Sequence, residues 1–157
     1  MTGTTTKMLL AAGLAAGLLA AGCGDDDGED APTRSEYIAS SNALCKESEA
    51  TAEEAFGRII GGDRPTPVKA QRFLKEGVIP AIRRNVAERE ALTPPDGDEA
   101  EVEAMISAGE QAIAGLEQVA ADREQVEALF RGKLRDPATE FDSLSGEYGI
   151  DQCSGGN

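Results

Sequence analysis

The chain has 157 residues, with 15 Lys plus Arg against 29 Asp plus Glu, no His and no Trp. A surface this acidic repels phosphate backbones and anionic head groups, which argues against nucleic acid and against a polybasic membrane dock. Missing His removes the commonest general base and metal ligand, and no GxSxG, P-loop or GxGxxG occurs, so the composition points away from an enzyme, a cofactor and a metal site.

Residues 1–22 read as an export leader. After a short polar start with Lys7, Met8 to Gly22 runs without a charge and ends in small residues at Ala20-Ala21-Gly22. As a helix that run spans about 22 Å, short of the roughly 30 Å hydrocarbon core, so it fits a leader better than a membrane span. Leu19-Ala20-Ala21-Gly22-Cys23 resembles the bacterial lipoprotein lipobox, with Leu one place upstream of its commonest position. The resemblance implies a lipid on Cys23 and an extracytoplasmic, membrane-anchored chain. The alternative is ordinary cleavage after Gly22. Loss of Lys7 with the leader takes the formal charge from −14 to −15.

Residues 23–34 read as a disordered acidic tether, because five of the six residues 25–30 are Asp or Glu and a Pro follows at 32. A calcium loop fails on spacing. With Gly28 as the loop's sixth residue, Cys23 takes the first position and Arg34 the place of the bidentate Glu. With Cys23 lipidated, the remaining cysteines allow one pairing, Cys45 with Cys153, which outside the cytoplasm is expected to be oxidised. Closing so long a loop is worth roughly 4–5 kcal/mol in the chain-entropy model. No CxxC and no zinc-like spacing offers another use for the pair.

From Ser35 to Cys153 the apolar period is helical, predicting an all-α, four-helix bundle-like domain. The first stretch has Ser35 as N-cap, Tyr37, Ile38, Leu44, Cys45, Phe56 and Ile59 on its stripe, and Gly61-Gly62 as its stop. The second runs from about Pro67 to Leu92, with a kink expected at Pro80. Its Arg83, Arg84 and Arg89 read either as an anion clamp or as a solvated face paired with Glu88 and Glu90; the solvated face is favoured. The third begins at Asp98, which with Glu101 makes a capping-box pattern, and carries Val102, Met105, Ile106, Ile113 and Leu116. The fourth is less regular: Val126, Leu129 and Phe130 form a short face, then Asp136-Pro137 cap a run through Phe141, Leu144 and Tyr148 that Gly149 ends. Residues 154–157 read as a flexible tail.

Tyr37-Ile38, Asn42-Ala43-Leu44-Cys45, Leu92-Thr93-Pro94-Pro95 and Tyr148-Gly149-Ile150-Asp151-Gln152-Cys153 resemble small uncharacterised actinobacterial lipoproteins. In these a helical domain is bracketed by a Cys in the first helix and a Cys after a C-terminal Tyr-Gly. The resemblance implies a secreted, disulfide-closed helical fold and no known activity. Two functions are weighed. The first is a non-enzymatic interaction or accessory module with a protein partner in the cell envelope. The second is a binder of a small ligand or cation between the helices, with Arg83, Arg84 and Tyr148 as contacts and Gly77, Gly109 and Gly115 opening space.

Mass spectrometry of the chain from native membranes is expected to show diacylglyceryl on Cys23 and, on reduction, a gain of one hydrogen per sulfur at Cys45 and Cys153. An unlipidated start, or free thiols at Cys45 and Cys153, would remove the lipoprotein reading.

Overall fold

The computed structural model describes residues 31–62 and 64–154. The leader, Cys23, the acidic residues 25–30 and residues 155–157 lie outside this range. The fold is all-α, closed by Cys45 and Cys153 at disulfide distance, their Cα atoms 5.3 Å apart.

Helix α1, Arg34–Ile59, starts two residues earlier than a cap at Ser35 would place it. Thr33 is the N-cap: its hydroxyl accepts from the Glu36 N–H at 3.3 Å, while the Glu36 carboxylate accepts from the Thr33 N–H at 2.9 Å. Only a cap at 33 sets a Glu at the third helical position; from Ser35 that place falls to Ile38. Gly61, at φ 66°, ends α1 as expected.

The second stretch contains two helices joined by a π turn. Helix α2, Pro67–Phe73, is capped by Thr66, and α3 spans Ile79–Glu90, with Leu74–Val78 as the π segment between them. The cause is Pro80, which has no N–H and whose ring crowds the carbonyl four residues back. Widening the turn to five residues, with the Ile79 N–H bonded to the Leu74 carbonyl, lets the chain pass that point without a broken helix.

Helix α4, Glu99–Ala121, follows Asp98, but the capping box is absent: the Asp98 side chain makes no cap hydrogen bond. Its oxygens are engaged elsewhere, as described below. The fourth stretch is two helices. Asp122 accepts from the Glu124 N–H at 2.8 Å and starts α5, Arg123–Phe130, which turns back onto α2. Gly132, at φ 65°, closes α5, and the Asp136 carboxylate holds the Ala138 N–H at 2.9 Å just ahead of α6, Thr139–Tyr148. Gly149, at φ 102°, reverses the chain into the short 3₁₀ turn Asp151–Cys153. Asn42 of α1 accepts from the Gln152 N–H at 3.1 Å and seats that turn beside Cys45.

Packing follows from these turns. Helix α4 lies against α3 and α6, and α3 against α1. One core surrounds the disulfide, with Tyr37, Met105, Phe141, Tyr148 and Ile150; a second joins Leu74, Ile79, Leu116, Val119 and Val126. Gly77, Gly109 and Gly115 mark close crossings rather than open space. A Cβ on Gly77 would meet Ala55 Cβ at 2.8 Å, one on Gly109 would meet Val86 Cγ2 at 2.5 Å, and one on Gly115 would meet Pro137 Cβ at 2.8 Å.

The same substitution is therefore expected to have opposite signs at two helical glycines. Gly57→Ala, with nothing within 4 Å of the new methyl, should stabilise by up to about 1 kcal/mol. Gly109→Ala forces Val86 and Phe141 apart and should destabilise by about 1 kcal/mol or more, lowering Tm by about 5 °C. Thermal melts of the two variants measure the contrast.

Candidate functional site

Three places gather chemistry. The first is the buried surround of the disulfide. Arg89, expected on a solvated face, is instead fully buried, because α3 turns it inward between α1 and α4. Its guanidinium donates to Cys45 Sγ at 3.3 Å, Cys153 Sγ at 3.0 Å and Asn85 Oδ1 at 3.5 Å, and lies 5.3 Å from the Phe141 ring centre. No carboxylate pairs with it among the described residues, and sulfur is a weak acceptor. Burial pulls the Arg89 pKa down from its ordinary value, with the nearby Tyr37 acting the other way. Arg89 Nε and the hydroxyls of Tyr37, Ser41 and Ser145 make no hydrogen bond to a described residue, a concentration of unsatisfied polar atoms rare in a packed core.

The second lies at the N-terminal ends of α1 and α4. The Tyr148 hydroxyl donates to Asp98 Oδ2 at 2.7 Å, and Arg34 reaches Asp98 Oδ1 at 3.3 Å and Glu101 Oε2 at 3.2 Å. The Arg34 guanidinium sits 4.1 Å over the Tyr148 ring, and Tyr37 meets that ring edge-on at 5.8 Å. Burial first, then the Asp98 carboxylate, raises the Tyr148 pKa well above its ordinary value, so the phenol stays a donor. This is why Asp98 does not cap α4: its carboxylate ties together the ends of α1, α4 and α6.

The third is a surface groove of about 460 Å³ between the π segment and the chain leaving α5, lined by Phe73, Leu74, Val78, Leu129, Phe130 and Leu134 among others. Phe130 is 41% exposed and also borders a neighbouring depression that contains Arg64, Pro65, Pro67 and Arg131. Phe56, 42% exposed, meets Phe73 edge-on at 5.3 Å and extends the apolar surface onto α1.

The contacts proposed for a ligand do not converge. Arg83 pairs with Glu117 on α4, whereas Arg84 reaches Glu47 at 3.4 Å and Thr51 at 3.0 Å on α1; neither pairs with Glu88 or Glu90. Tyr148 packs on Tyr37, which lies ten residues from Glu47, about 15 Å along α1. Asp142 is a group the sequence did not single out: burial, then the Asp136 carboxylate, pushes its carboxyl up to about 6. No group of three or more His, Cys, Asp or Glu among the described residues is placed to hold a metal, and no described helix is long and apolar enough to cross a membrane. Comparison with family models, curated proteins and solved structures gives no match.

Because Arg89 faces both sulfurs, it would act as counter-ion to a thiolate once the bond is opened, which favours the dithiol. Arg89→Met should therefore make the disulfide harder to reduce, shifting its equilibrium with a dithiol buffer by about tenfold, while Arg89→Lys should shift it less. Thiol trapping across a redox titration reads the midpoint; an unchanged midpoint in Arg89→Met would assign the guanidinium a packing role alone.

Proposed function

We propose that the chain is a lipid-anchored extracytoplasmic module that works by docking a protein partner in the cell envelope, not by catalysis. The reading combines the lipobox-like leader, and the resemblance to small actinobacterial lipoproteins, with one observation of the fold: where the apolar groove lies. Phe56 stands 22 residues beyond Arg34 on α1, about 33 Å from the helix start that follows the anchor. Its partner Phe73 lines the groove with Phe130. Phe56, with Phe73 packed on it, is thus carried far along α1 from its start, the placement suited to a tethered module that presents a binding face. Exposed aromatics that pack against one another and frame a groove are the anchor type that dominates protein interfaces.

A photo-crosslinking side chain at position 130, in cells, is expected to give discrete protein adducts. The same side chain at position 103, exposed on α4 near its other end, should give none. Equal labelling from both positions, or none from 130, would defeat the docking reading.

A further inference from the structure

The charge around the groove is out of character with the rest of the chain. Residues 64–75 carry Arg64, Lys69, Arg72 and Lys75, and residues 131–135 carry Arg131, Lys133 and Arg135, with no acid in either segment. Seven of the chain's 15 basic residues therefore fall in two short segments that meet at the groove, through Phe73 and Leu74 on one side and Gly132 and Leu134 on the other. Two acids stand among them, Asp136 in the groove and Glu127 in the neighbouring depression, and Arg72 is paired with Glu76, so the basic residues are in excess around the groove rather than alone there. Arg64, Lys75, Lys133 and Arg135 form no ion pair with another described residue. Among the described residues Arg131 pairs with Glu127 alone, one turn back on its own exposed helix surface, a contact of small worth that a stronger partner can displace.

We infer, resting on the docking reading above, that the occupant is an acidic amphipathic helix of a partner protein. Its apolar side chains lie against Phe73, Leu129 and Phe130, and its carboxylates face Arg64 and Arg131. An apolar floor with a basic rim selects that combination: the floor supplies affinity, and the rim steers an anionic segment and rejects a cationic one. An anionic bilayer would also meet a basic rim, yet the remaining surface of a chain with 29 acids opposes a flat anionic sheet and does not oppose a narrow helix.

The test uses the full chain in mild detergent and a fluorescein-labelled helical peptide of about 18 residues, with Leu at the i, i+3, i+4, i+7 positions and Glu elsewhere. Its counterpart carries Lys for Glu. The acidic peptide is expected to bind about tenfold tighter than the basic one, and to weaken with salt. Phe130→Asp and Arg131→Glu should each loosen it about fivefold or more, while Lys46→Glu, the same charge change midway along α1, leaves it unchanged. Equal affinity for both peptides, or none for either, overturns the inference. So does binding of phosphatidylglycerol vesicles that is lost in the same variants without peptide binding. Self-association that disappears when residues 25–30 are neutralised overturns it too, in favour of a second copy as occupant. If position 130 still crosslinks to protein while the acidic peptide fails, the docking reading stands and the acidic-helix inference alone falls.

Discussion

The link between Cys45 and Cys153 sets the terms for the rest of the fold. It joins the middle of the first helix to the 3₁₀ turn Asp151–Cys153, and three contacts bring it about: Gly149 reverses the chain, Asn42 of α1 holds the Gln152 N–H, and the 3₁₀ turn delivers the sulfur. Arg89 lies against both sulfurs with no carboxylate of a described residue paired to it. A buried cation there is an expensive neighbour, and its cation–π contact with Phe141 and its bond to Asn85 offset only part of that cost. The hydrophobic core around Tyr37, Met105 and Ile150 thus has a polar centre, and the cross-link keeps that centre closed.

Much of the architecture was legible from period alone. Helix faces were readable because Tyr37, Val102, Met105, Phe141 and Tyr148 recur at helical spacing, and the stops at Gly61 and Gly149 were readable because only glycine takes the left-handed conformation cheaply. Two features were written in the sequence but outvoted by nearby alternatives. Thr33 has its Glu three residues on, which Ser35 lacks, and Pro80 marks the disturbance expected there as a kink, which the chain takes up as a π turn at Leu74–Val78. The remaining surprises are tertiary. Asp98 has the right local pattern for a cap, yet a phenol and a guanidinium from distant segments claim its oxygens. Arg89 shares a helix with Arg83 and Arg84, and its inward direction depends on how α3 is rotated against α1, which no window of residues encodes.

The candidate surface was less readable still. Phe73 and Phe130 stand 57 positions apart, and only the packing of α5 back onto α2 makes them neighbours across one groove. The same folding step collects basic side chains from two segments into one region of an otherwise acidic molecule. Net charge described the whole chain and concealed this local reversal, because a sum over 157 residues carries no positions.

The placement of the cross-link also decides how the domain carries tension. A pull applied between residues before Thr33 and those after Ser154 enters α1, runs along it to Cys45 and leaves through the sulfur bridge to Cys153. Helices α2 to α6 lie inside the covalent loop and are bypassed. Stretching from the two ends would fray only the first three turns of α1, and the groove on α2 and α5 would keep its shape under load.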